Sequence, residues 1–247
     1  MCLLAVAFGV DPAEPLIVGA NRDEFLERPS RAMVLLDDGP PRVVGGRDEQ
    51  AGGTWLAVNE HGVCAGLTNQ PLGDARDPAR RSRGELPLAL TRHRTAADAV
   101  ASFLTDHSPA AYNGAWLLVG DRTSLYFVDF TGLVEPEAMA LPPGIHILEN
   151  RALGAASPKV DLVREAIGTP ADADEVDAAF RRVLSDHRIP LDDERANAAS
   201  CVHLDGYGTR SSCLVRVPAD DGLLPQVWVA DGPPCTAPYV DMGGLWA

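Results

Sequence analysis

The chain has 247 residues and carries 21 Lys+Arg against 35 Asp+Glu, a formal net charge of −14. With 46% hydrophobic and 23% charged residues it has the composition of a globular protein, not of a disordered or fibrous one. Nucleic-acid affinity comes largely from neutralising phosphates, so an acidic chain without a basic block is expected to have no nucleic-acid partner.

The apolar run Cys2-Leu-Leu-Ala-Val-Ala-Phe8 predicts a buried strand and Leu16-Ile-Val-Gly-Ala20 a second, paired as a hairpin through the Asp-Pro chemistry of residues 9–15. Asp11 interrupts this region far short of the roughly 20 apolar residues a membrane span needs. It also lacks the basic flank of a secretory signal, and its one A-x-A-like site, Ala5-Val6-Ala7, leaves almost no apolar segment in front, so no stable membrane insertion and a cytoplasmic location are expected. The polar cluster Asn21-Arg22-Asp23-Glu24 opens a stretch expected to be loop as far as Gly53. Trp55–Val58 and Val63–Thr68 predict a second hairpin, with Gly62 where a left-handed residue is wanted. Residues 69–84, rich in Pro, Gly and Arg, read as loop.

A helix follows, capped by Thr95 with Asp98 at the third position and an apolar stripe of Ala96, Val100, Phe103 and Leu104. Strands are expected at Trp116–Gly120, Leu125–Phe130 and Ile145–Leu148. Ser157-Pro158 opens another helix with Val160, Val163 and Ile167 on one face and Gly168 as its stop. Val176, Phe180, Val183 and Leu184 mark a further amphipathic helix, and residues 201–217 and 226–230 read as closing strands. No repeat or composition break divides the chain, so residues 1–247 are expected to form a single α+β domain of antiparallel sheet with helices on its outer faces.

The residue types offer few local signatures. The five cysteines (Cys2, Cys64, Cys201, Cys213 and Cys235) contain no C-x-x-C pair and do not make a disulfide framework. Cys201 and Cys213 fall where neighbouring strands are expected, as two buried thiols. His61, His93, His107, His146, His187 and His203 show no zinc spacing, so no metal is expected. Gly45-Gly46 and Gly52-Gly53 lack the G-K-[ST] of a phosphate loop and read as turn glycines, and G-x-S-x-G is absent. The unusual feature is Cys2. Removal of Met1 would leave one residue holding a thiol, a strong nucleophile once ionised, and an α-amine of pKa about 7.7–8.0 that serves as base. Nucleophile and base on one Cα have little orientational entropy left to lose. A small residue starting a strand is the plain alternative.

Around Cys2, several short segments occur in register: Met1-Cys2, Ala20-Asn-Arg-Asp-Glu-Phe25 with Arg28-Pro29, Gly52-Gly-Thr-Trp-Leu56, Gly66-Leu-Thr-Asn69, Arg83-Gly-Glu85, Tyr112-Asn-Gly114, Leu148-Glu-Asn150 and Gly206-Tyr-Gly-Thr-Arg210. With them the chain resembles the NRDE family, also called transport-and-Golgi-organisation-protein-two-like. It is more distantly similar to choloylglycine hydrolases and other N-terminal-nucleophile hydrolases. The resemblance implies a four-layer αββα sandwich, two antiparallel sheets flanked by helices, with the catalytic N-terminus at the end of a central strand. It implies Cys2 as nucleophile, Arg22 and Asp23 beside it, Asn69 and Asn150 as active-site amides holding an oxyanion, and Arg210 near the nucleophile. The choloylglycine-type pattern spaces its Arg and Asp as R-x-x-D whereas here they are adjacent, which leaves open whether Asn21, Arg22 or Asp23 faces Cys2. Glu149 stands where the family commonly has Ser, either to alter substrate choice or to face solvent. The implied function is an amidohydrolase or acyltransferase working on a small amide or ester through an acyl-thioester, with no cofactor. The alternative from the family's eukaryotic members is a carrier of haem, lipid or acyl-CoA, with Cys2 as a haem thiolate ligand.

Overall fold

A computed structural model describes residues 2–71, 76–191, 193 and 195–247. The strands run in chain order β1 Cys2–Phe8, β2 Leu16–Phe25, β3 Ser30–Asp37, β4 Val43–Asp48, β5 Leu56–Asn59, β6 Cys64–Asn69, β7 Ala115–Gly120 and β8 Leu125–Phe130. They continue with β9 Ala138–Ala140, β10 Gly144–Leu148, β11 His203–Leu204, β12 Tyr207–Val217, β13 Gln226–Ala230 and β14 Val240–Asp241. The helices are α1 Glu85–Leu90, α2 Ala96–Asp106, α3 Pro158–Ile167 and α4 Ala173–Leu184. One seven-stranded sheet has the order β10-β1-β2-β12-β13-β14 with β11 on β12, and the other runs β3 to β9 in sequence. All strand pairings are antiparallel among the described residues.

Strand alternation sorts the apolar residues into three layers. On β1, Leu4, Val6 and Phe8 face the space between the sheets, where they meet Leu56, Val58, Trp116 and Leu118 of the second sheet. Leu3, Ala5 and Ala7 face the other way, against Val163, Ile167, Val176 and Phe180 of α3 and α4. The second sheet does the same with Val63, Ala65, Leu117 and Val119 under Leu86, Leu90, Val100 and Phe103 of α1 and α2. Helix, sheet, sheet, helix: this is the four-layer αββα sandwich that the family resemblance implies. A central strand covered on both faces has no polar side to spare, which is why Cys2–Phe8 is a continuous apolar run. No helix among the described residues is long and apolar enough to cross a membrane.

The caps are those the sequence announces. Thr95 accepts a hydrogen bond from the Asp98 N–H, Ser157 accepts one from Val160, and Gly168 ends α3 at φ +71°. The differences lie where polar residues occupy strands. The cluster Asn21–Glu24 continues β2 instead of ending it, because β12 pairs it as far as Phe25. The stretch expected to be loop up to Gly53 holds β3 and β4; the glycines of β4 and the charges at the ends of both interrupt the strand pattern. In residues 69–84, positions 72–75 lie outside the described residues, and α1 begins just beyond. Residues 201–206 form the two-residue β11 and a turn, not the start of a long strand.

Gly46 and Gly53 are close-approach glycines. A Cβ on Gly46 would fall 2.0 Å from the Trp55 ring, and one on Gly53 2.6 Å from the Gly84 backbone, where Thr54 N–H donates to the Gly84 carbonyl at 2.9 Å. These contacts bring Gly52-Gly-Thr-Trp and Arg83-Gly-Glu together. Gly46→Ala is expected to displace Trp55 and to destabilise the fold by about 1–3 kcal/mol, the usual cost of overpacking, read as a lowered midpoint of urea unfolding. An unchanged midpoint would show that the ring does not need this space.

Candidate active site

Cys2 begins β1, and its cross-strand partner on β2 is Arg22. Paired residues point to the same face, so Arg22 shares the inter-sheet side with Cys2, Leu4 and Ala20. Asn21, opposite Leu3, points outward, where its amide donates to the carbonyls of Leu184 and Ser200 at 2.8 Å each. It fastens α4 and the segment before β11 to the sheet. Of the three neighbours left open by the sequence, Asn21 has this structural task.

Asp23 is next along and is also buried. A β-bulge on β12 decides its partner. Thr209 pairs with Asp23 and Ser211 with Arg22, leaving Arg210 as the extra residue. The Thr209 hydroxyl donates to Asp23 Oδ1 at 2.6 Å and accepts from the Val202 N–H at 2.9 Å. Burial pushes the Asp23 carboxyl up, while Lys159, the Thr209 bond and Arg22 hold it down. Lys159 is itself 1% exposed and donates to the Ala199 carbonyl at 2.8 Å. A lone lysine on a short helix gives no signal of this in sequence. Arg210, half-buried in the bulge, is not among the residues lining the cavity described next.

Cys2, Arg22, Asp23, Trp55, Leu67 and Asn69 line a cavity of about 450 Å³ at this end of the inter-sheet space. The Cys2 N–H donates to Asn150 Oδ1 at 3.0 Å, and Asn150 Nδ2 donates to the Asn69 carbonyl at 2.6 Å. Asn150 therefore holds the nitrogen of Cys2, a different task from the oxyanion donor the resemblance implies. Burial raises the Cys2 thiol; the Asp23 carboxylate adds to this, and the Asp23 backbone N–H and Arg22 oppose it. The Arg22 guanidinium lies 4.5 Å over the Trp55 ring and faces Glu24 at 3.8 Å. Glu149 does not face solvent. It is 1% exposed and accepts from the Ser157 hydroxyl, which caps α3, with Arg151 at 3.4 Å and Arg195 at 3.9 Å.

The outer walls are rich in arginine: Arg28, Arg76, Arg80, Arg81 and Arg83 join Arg22 in the lining. Arg28 pairs with Asp48 at 2.6 Å, Arg81 with Glu85, and Arg80 donates to the Tyr112 carbonyl at 2.6 Å. Arg83, which sequence reasoning placed only in a motif, donates to the Gly114 carbonyl at 3.1 Å. Burial, helped by the charge of Arg76, brings its guanidinium down to about 10, and Cys2 is among the groups it senses. Asn113 clamps the rim from below, bonding both the N–H and the carbonyl of Asp77 at 2.9 and 2.8 Å.

Comparison with solved structures finds the same fold in amidases. A Caenorhabditis elegans N-acylethanolamine-hydrolyzing acid amidase ortholog superposes with a TM-score of 0.61 at 13% identity, covering 89% of this chain and 94% of its own. Penicillin V acylase from Agrobacterium tumefaciens gives 0.52 at 13% identity, covering 98% and 86%, and a C2A mutant of the conjugated bile acid hydrolase from Clostridium perfringens 0.54 at 11%, covering 100% and 94%. At such identities the likeness is one of fold. In sequence, the Transport and Golgi organization protein 2 homolog of Homo sapiens is 30% identical over 252 residues, 89% of this chain and 90% of that protein. The Bos taurus homolog is 31% identical over 254 residues, again 89% and 90%. The family model for Transport and Golgi organisation 2 matches residues 1–223, and the chain belongs to this family.

Proposed function

We propose that the protein is an N-terminal-cysteine amidohydrolase or acyltransferase that acts, after removal of Met1, on a small amide or ester bearing an anionic group. The observation that carries this reading is the Asn150 bridge, which holds the Cys2 nitrogen while Cys2 lines a cavity shared with Asn69 and Arg22. Freed of Met1, that nitrogen is an amine able to take the proton of the buried thiol, whose raised pKa makes a base necessary. The sulfur attacks the carbonyl carbon, and Asn69 is the amide that serves the oxyanion; a donor of this kind is worth about 2.7–4 kcal/mol. The amine returns the proton to the departing nitrogen or oxygen, leaving a thioester. Water or an acceptor amine then releases the acyl group and the sulfur regains its proton. Six arginines outnumber Asp23, Glu24, Asp48 and Asp77 in the lining, an excess of positive charge on a chain of net charge −14 that favours an anionic group on the substrate.

A haem carrier finds less support in these residues. A macrocycle needs an apolar slot, and the large apolar side chains of this lining are Phe25, Trp55 and Leu67 among many charges. The residues present do not fit that group.

Cys2→Ala is expected to lower turnover of N-acyl amides by at least about 10³-fold with the circular dichroism spectrum unchanged. Retained activity would end the mechanism. Arg83→Gln is expected to raise KM for substrates carrying a carboxylate or phosphate and to leave neutral ones unaffected, with kcat preserved; an equal loss for both would remove the anionic assignment. The two neighbours of the thiol act with opposite sign. Asp23→Asn removes a charge that raises the Cys2 pKa, so the pH profile of its alkylation by iodoacetamide moves to lower pH, whereas Arg22→Gln moves it higher. Shifts in the same direction would contradict this electrostatic scheme.

A further inference from the structure

Four side chains that the mechanism leaves unused converge on the outer side of the first sheet. His187 follows α4, Cys201 and His203 lie two residues apart at the entry to β11, and Cys235 sits in the turn after β13. Their ligand atoms all lie within 4.8 Å of one another. Cys201 Sγ is 3.7 Å from Cys235 Sγ and 3.6 Å from His203 Nε2, and His203 Nε2 is 3.2 Å from Cys235 Sγ. A tetrahedron about Zn²⁺, with Zn–S about 2.3 Å and Zn–N about 2.0–2.1 Å, has S–S edges of about 3.8 Å and S–N edges of about 3.6 Å. Two of the three observed edges match it, and the third asks for a few tenths of an ångström of movement by exposed His203.

The second independent sign is the tautomer of His187. Its Nδ1 lies 3.1 Å from the Cys201 carbonyl oxygen, which can only accept, so Nδ1 carries a proton and, in the neutral ring, Nε2 holds the lone pair. A histidine oriented through its other ring nitrogen by a backbone carbonyl is the usual outer-shell arrangement of a metal ligand. The two histidine rings stand 5.0 Å apart at 45°. Cys201 is buried while His187, His203 and Cys235 reach the surface, which gives the ion a way in.

We propose that His187, Cys201, His203 and Cys235 form a four-coordinate Zn²⁺ site. Binding releases the two thiol protons to solvent, and two thiolates balance the charge of the ion, leaving a neutral site. With all four positions filled by protein the metal is structural, not catalytic. It fastens the end of α4 and the turn after β13 to the segment 199–203. That segment supplies the Ala199 carbonyl to Lys159, the Ser200 carbonyl to Asn21 and the Val202 N–H to Thr209, the partner of Asp23. The spacing hides the site in sequence, since Cys201-x-His203 is its one local pair and Cys235 comes 32 residues after His203 (235 − 203).

The test titrates Co²⁺ into reduced, chelator-treated full-length protein and reads the visible spectrum. One Co²⁺ per chain is expected, with intense tetrahedral d–d bands and a thiolate charge-transfer band, all displaced by one equivalent of Zn²⁺. Cys235→Ser and, separately, His203→Gln should lose the tetrahedral spectrum, while Cys2→Ser should keep it, which separates this site from the reaction at Cys2. The proposal is overturned by absence of uptake in the wild type, by an unchanged spectrum in both site variants, or by a purified chain whose intact mass shows a Cys201–Cys235 disulfide and no bound metal.

Discussion

The geometry of the site depends on one carboxamide. Asn150 follows β10 in the first sheet, yet it bonds the Cys2 nitrogen at the start of β1 and the Asn69 carbonyl at the end of β6 in the second sheet. Among the described residues the two sheets share no backbone ladder, and most of their contact is side chains that interdigitate without direction. A directed tie at the mouth is what fixes the distance between the strand that carries the sulfur and the strand that carries Asn69. Thr68 adds a second tie, its hydroxyl donating to the Glu149 carbonyl at 2.7 Å. The Thr68 bond and the Asn150 bond to the Cys2 nitrogen are buried, where a lost partner costs more than a formed one gains.

Charge near the sulfur is arranged in depth. Arg22 and Asp23 are adjacent in sequence and buried, 4% exposed each, but the pleat sends them to opposite faces. Arg22 reaches the aromatic face of Trp55, and Asp23 turns to Thr209 with Lys159 nearby. Buried charges need partners, and each of these is supplied by a different element of the fold. The strand period thus gives two adjacent residues separate environments.

Much of the fold was legible because its physics is local. Unbroken apolar runs marked the central strands, and Thr95, Ser157 and Gly168 marked helix ends through hydrogen bonds made within a few residues. β3 and β4 were not legible, since β3 mixes polar ends with an apolar run that does not alternate, β4 carries Gly45-Gly46 and two charges, and their pairing comes from the neighbouring strands. The site divided in the same way. Cys2, Arg22, Asp23, Asn69 and Asn150 could be named from segments that resemble a family, but the task of each needed the coordinates. Asn150 orients a nitrogen, Asn21 holds a helix, and Arg210 sits in a bulge. Lys159, Arg83 and the cysteine–histidine cluster depend on contacts between residues far apart in sequence, which neither pattern nor spacing encodes.

The bulge at Arg210 acts as a change of reading frame within a single strand. From Val217 back to Ser211, odd-numbered residues face the inter-sheet core, and an uninterrupted pleat would carry Thr209 there as well. One surplus residue reverses the sense, so Thr209 swings to the helix side and meets Asp23 while the apolar half keeps its own alternation. A single strand thereby obeys two incompatible parities. Its length in residues, and not the chemistry of the inserted side chain alone, is what natural variation at this position has to preserve.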